Sequence, residues 1–151
     1  MSSTRSSATE PADFAAFMKQ REEAAAAYVC GDPSPLDAIV PGEGAATFFH
    51  PRGPFVVGAA EVRARYDHDA ASFESGGTTH FEVLQSGASG DLAFWTGFQV
   101  AEVRMRGRDA LVPMRLRVTE VFRRTEKSGW KLVHRHADPA VEEKKVVGLG
   151  G

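Results

Sequence analysis

A single cysteine, Cys30, excludes an internal disulfide and a cysteine metal cage, and points to a reducing cytoplasm. No apolar run approaches the roughly 20 residues a membrane helix needs. The opening MSSTRSSATEP lacks the apolar segment of a signal peptide and reads as a floppy tail. Charge of one sign is also scarce: the net value is −2, and Lys and Arg are spread between apolar positions. A nucleic-acid footprint needs a basic patch or stripe, so nucleic acid is not an expected partner. Nor is a membrane. There is no internal repeat and no sign of a second domain.

What is present is enough for one domain with a real core in 151 residues. Ala12–Cys30 carries Phe14, Phe17, Met18, Tyr28 and Val29 at three- and four-residue spacings, which predicts a helix. Lys19, Arg21, Glu22 and Glu23 are assigned to its wet side, and Gly31 to a left-handed cap. Leu36–Val40 allows only a short helical piece before Pro41. Two short strands, 45–50 and 55–57, flank the turn Pro51–Pro54. A second long helix is predicted over 59–73, ended by the Gly-containing run Ser75–Thr79. Strands follow over 80–86, 92–105, 111–124 and 130–137, the last two joined as a hairpin. Helices first and an antiparallel meander after give an α+β plan. Residues 1–11 read as a disordered tail, 12–138 as the domain and 139–151 as a charged, Gly-rich tail.

Strand residues alternate sides, so parity sorts them. In 92–105 the even positions offer Phe94, Thr96 and Phe98, and the odd ones Trp95, Gln99, Ala101 and Val103. Both sets are apolar near the middle. One should cover the helices and the other should meet a second copy of the chain, which predicts a homodimer through an outer sheet face holding Trp95, Ala101 and Val103. In the hairpin, setting Phe122 opposite Leu132 places Glu120 against His134, Val118 against His136 and Leu116 against Asp138, all on the inner face. A bulge would shift this by one residue.

The closing SGWKLVHRHAD, with LDAIV at 36–40, ATFFHP at 46–51 and GAAEVRARY at 58–66, resembles the nuclear transport factor two-like superfamily. The likeness is to its ketosteroid isomerase-related, SnoaL-like and kinase-association-domain branches and covers about residues 12 to 138. It implies a cystatin-like cone: a curved antiparallel sheet wrapped around N-terminal helices, with a pocket at the wide end and frequent dimers through the outer sheet face. Carried over residue by residue, His50 stands where the isomerases have their aspartate base. Glu120 matches their protonated oxyanion donor, Tyr66 a supporting tyrosine and Tyr28 the main oxyanion tyrosine. The strand with Phe94, Thr96 and Phe98 matches the one that carries their pocket aromatics.

The expected catalytic residues are therefore His50 as base and Glu120 as a desolvated, neutral donor; the handling of such an acid in ketosteroid isomerase is a known instance of this device. The expected pocket is Phe17, Tyr28, Tyr66, Phe94, Thr96, Phe98, Val118, His134 and His136. The ligand is a small hydrophobic carbonyl compound, and the chemistry a cofactor-free isomerisation, cyclisation or dehydration. A non-catalytic ligand-binding or oligomerisation module of the same fold is the alternative. His134 and His136 also raise a metal reading with His50 or Asp138. Side chains two apart on a strand stand about 6.5 Å apart, and the family signature accounts for the pair without an ion, so no metal is expected.

Overall fold

The computed structural model describes residues 2–141, with side chains from Asp13 onward. Helix α1 spans Ser2–Tyr28, so it begins before the expected start at Ala12 and runs through the segment read as a tail. The charge run and Gly-rich end beyond residue 141 lie outside the described residues. Gly31 closes α1 at φ +96°, as its position implies. A short α2, Ser34–Ala38, leads to β1 (Thr47–Phe49) and β2 (Phe55–Val57), and α3 covers Ala59–Ala70. Four long strands follow: β3 (Phe73–Ser89), β4 (Leu92–Met105), β5 (Leu111–Thr125) and β6 (Gly129–Pro139). They form one curved, unclosed sheet in the order β2-β1-β6-β5-β4-β3. All neighbours are antiparallel except β1 with β6. This is the cystatin-like α+β fold.

Helix α3 ends at Ala70, short of the expected residue 73, and Ser75–Thr79 lies inside β3, where it bends the strand rather than ending the helix. The pairing with β4 slips between Glu74 and Thr78, and a Cβ on Gly77 would lie 3.0 Å from the Glu102 carbonyl. Glycine here permits the close approach of two backbones. A second slip, between Val83 and Gln85, leaves Leu84 exposed, and a side chain on Gly97 would collide with the Glu82 carbonyl there. These irregularities curve the sheet around the helices.

The concave face holds the core. Phe14 and Phe17 of α1 each pack 5.3 Å, centre to centre, from the ring of Phe122, with Trp130 completing the cluster. In β4 the odd positions face inward: Trp95 and Val103 are fully buried and Ala101 nearly so. That corrects the expected dimer face, since these three side chains lie under the helices. Phe94, Thr96 and Phe98 stand on the convex side. Parity had separated the two sets, but the apolar character of both gave no way to tell inside from outside.

The hairpin contains the bulge. Phe122 stands opposite Leu132 as expected. Val133 is then an extra residue, and the partners continue as Val121–His134, Glu120–Arg135, Thr119–His136 and Val118–Ala137. Leu132, Arg135 and Ala137 point in, while His134 and His136 point out. The expected Glu120–His134 facing is therefore replaced by Glu120–Arg135. An isolated acid on the core face is costly to bury, and the one-residue slip supplies it with a cation.

Candidate functional site

The site begins with Glu120, fully buried at the middle of β5. Arg21 reaches it from α1 through two hydrogen bonds, Nε to Oε1 at 2.9 Å and Nη2 to Oε2 at 2.7 Å. Arg135 of β6 donates from Nη1 to Oε2 at 2.6 Å, and Trp95 of β4 from Nε1 to Oε1 at 2.8 Å. Arg135 also donates to Gln99 at 2.7 Å, and Gln99 donates to Thr79. Burial alone would push the Glu120 carboxyl up, but the charges and hydrogen bonds of Arg21 and Arg135 outweigh it and bring the pKa to about 2. Glu120 is thus an ionised acceptor with no proton to give. The neutral oxyanion donor expected at this position is overturned.

Arg21 was assigned to the wet side of its helix and is instead 2% exposed. The signal lay in the spacing. Phe14, Phe17, Arg21, Ala24 and Tyr28 fall on one stripe, which places the arginine among core positions. A cation in such a stripe calls for a buried anion, and Glu120 was the lone acid in an apolar strand.

Above this network lies a cavity of about 630 Å³. Arg21, Gln99 and Arg135 make its polar floor, with Tyr28 and Tyr66 beside them. Burial raises both phenols far above their ordinary range, so each remains a protonated donor. The Tyr66 ring packs 4.9 Å from Phe48 and at 6.3 Å against Tyr28. Val29, Phe73, Met105, Met114 and Leu116 line the apolar wall.

His50 sits in the cavity wall at the end of β1. Its Nε2 lies 3.2 Å from Asp69 on α3, and its Nδ1 accepts the Arg52 amide at 3.1 Å. With Nδ1 accepting, the ring proton is on Nε2 and is donated to Asp69. Burial lowers the imidazole pKa; the Asp69 charge opposes the shift and Arg65 adds to it. Arg65 also donates to Asp69 from one turn earlier on α3. Nothing local in the sequence joins Asp69 to His50; the link is made only by the packing of α3 on β1.

Of the expected residues, His50 of the catalytic pair and Tyr28 and Tyr66 of the pocket meet at this cavity. Phe17 is packed into the aromatic core and Val118 is buried beneath the helices. Phe94, Thr96 and Phe98 lie on the convex face, where parity in β4 puts them opposite Trp95. His134 and His136 are there too. His134 Nδ1 is 2.7 Å from Thr47 Oγ1, and both rings stand edge-on to Phe49 at 4.8 and 5.5 Å. Glu120 lies beneath the floor, so it does not face His50 across open space. Among the described residues, no group of three or more His, Cys, Asp or Glu side chains is gathered as a metal site would require.

The model of the SnoaL-like domain matches residues 15–142. The chain belongs to the SnoaL-like family. Its structural neighbours lie in the nuclear transport factor 2-like superfamily. One is an NTF2-like protein from Streptomyces avermitilis, provisionally assigned as a dehydratase, with TM-score 0.71 and 24% identity over 90% of this chain and 99% of that one. The CaMKII hub of S. rosetta aligns with TM-score 0.61 and 25% identity, covering 83% of this SnoaL-like chain and 95% of the hub. A protein from Parabacteroides distasonis, provisionally assigned as a ketosteroid isomerase, aligns with TM-score 0.57 and 15% identity over 82% and 85% of the two chains. No curated protein matches. Among the described residues no helix is long and apolar enough to cross a membrane.

Proposed function

We propose that this SnoaL-like protein binds a small, largely hydrophobic carbonyl compound in the 630 Å³ cavity and moves a proton on it without a cofactor. The observation that carries the reading is the meeting of His50, backed by Asp69, with two phenolic hydroxyls around one amphipathic space. A proton beside the carbonyl would pass to His50 Nδ1, which exchanges the Arg52 amide for the substrate. Asp69 holds the Nε2 proton and stabilises the imidazolium that forms. Tyr28 and Tyr66 donate to the developing enolate oxygen. Isomerisation, cyclisation and dehydration all begin with such a step. Incubation with a panel of enolisable ketones should give solvent deuterium uptake, reduced about 100-fold or more in His50→Ala. No uptake by the wild type, or equal uptake by the variant, defeats the proposal.

The second reading is a non-catalytic ligand-binding or association module. It is favoured by the fact that both His50 nitrogens already hold hydrogen bonds. Saturable ligand stabilisation in thermal melts, with no chemical change in the ligand, would decide for it.

Assembly as a homodimer is proposed through the convex sheet face, in a cytoplasmic setting. Support comes from the side chains that replace those expected there: Phe94 is 37% and Leu84 65% exposed, and Thr96 and Phe98 line a shallow hollow with Leu84. Sedimentation at micromolar concentration should return twice the 16.3 kDa chain mass. A monomer mass contradicts it.

A further inference from the structure

The floor of the cavity has more positive charge than it uses. Two guanidinium groups, Arg21 and Arg135, meet one carboxylate, Glu120. Arg135 spends one nitrogen on Glu120 and another on Gln99. Arg21 spends Nε and Nη2 on Glu120, which leaves the far edge of its planar group. That edge is Nη1, a buried atom with no hydrogen-bond partner, in a side chain that lines the cavity. A buried, unpartnered donor on a permanent cation is costly, and native proteins rarely retain one without a reason. Tyr28 and Tyr66 border the same floor.

The geometry points to an anion-recognition site: the ligand of this cavity carries, besides its carbonyl, a carboxylate held by Arg21 Nη1. This rests on the pocket reading above and narrows it, from a hydrophobic carbonyl compound to an organic acid with an apolar body. The apolar body lies against Val29, Phe73, Met105 and Met114, and the acid end points down to the floor. A carboxylate brings the two-arginine, one-glutamate cluster to charge neutrality and supplies an acceptor to the unpartnered donor edge. Trp95 and Gln99 hold Glu120 and Arg135 in place, so the site is preformed, and little ordering is needed on binding.

The test compares matched acids and amides on the untagged full chain. Hexanoate, benzoate, phenylacetate and cinnamate are each titrated beside their primary amides, followed by thermal shift and ligand-observed NMR. At least one acid should bind saturably, and at least tenfold more tightly than its amide. The double variant Arg21→Met/Glu120→Leu removes the donor edge and its partner together, leaving Arg135 to Gln99. It should lose the preference for acid over amide. If amides bind as well as acids, the anion site is overturned while the pocket stands. Should neither series bind, the pocket reading falls and takes this one with it. Where the double variant loses its fold, as judged by circular dichroism, the wild-type acid–amide comparison decides alone.

Discussion

Replacing Glu120 by alanine should cost about 3–5 kcal/mol of unfolding free energy, the usual result of removing one partner from a fully buried ion pair. The loss comes mainly from what is left behind. Arg21 and Arg135 would face each other without the carboxylate, and the Trp95 indole would lose its acceptor. Urea melts of Glu120→Ala against wild type measure it, and a difference below about 1 kcal/mol would show the network to be dispensable. Adding Arg21→Met should recover part of the loss by removing one stranded cation. Acid should act on the same group. The folded-state pKa of about 2 lies below the ordinary 4.5, so the carboxylate's contribution is complete above about pH 4.5. It fades as pH falls from there toward 2. The Glu120→Gln variant should lack this part of the acid dependence.

Phe122→Ala should be about equally damaging, at roughly 3–5 kcal/mol. The ring is fully buried between Phe14 and Phe17, so its removal opens a cavity at the joint between α1 and the sheet. Denaturant melts again give the number; a cost under about 1 kcal/mol would mean that the joint collapses to fill the space. The position also separates core from pocket. Phe122 and Phe17 stand away from the 630 Å³ cavity, so ligand affinity per folded molecule should be unchanged in Phe122→Ala.

The two experiments fall on the two parts of the molecule that the sequence disclosed unequally. Element type was legible because its signals are local: β2 lies between the turn Pro51–Pro54 and Gly58, β4 spans its expected residues, and α3 starts at its expected residue. Lateral position was not. Both faces of β4 are apolar, so nothing in the strand itself tells Trp95 from Phe94. The bulge at Val133 exchanges His134 for Arg135 on the inner face, and the acid that Arg135 meets there, Glu120, is on another strand. Arg21 sat in an apolar stripe with a spacing that fits the core, yet a cation there makes sense only beside a carboxylate 99 residues away. Likewise, His50 could be picked out from the turn that follows it, whereas its partner Asp69 depends on helix packing.

The parallel pairing of β1 with β6 bears on the order in which this wall of the pocket forms. Thr47 and His134, joined across that pair, are 87 residues apart. The four-strand meander can grow by successive hairpins, each closing a short loop. The β1–β2 ribbon cannot dock until β6 exists to receive it. His50 and the turn that holds its Nδ1 therefore follow a strand that enters the sheet through a long-range pairing, whereas Gln99 and Arg135 of the floor stand on strands of the antiparallel meander. Closing that long-range pair costs more chain entropy than closing a hairpin, so the proton-handling rim is the costlier wall of the pocket to seat.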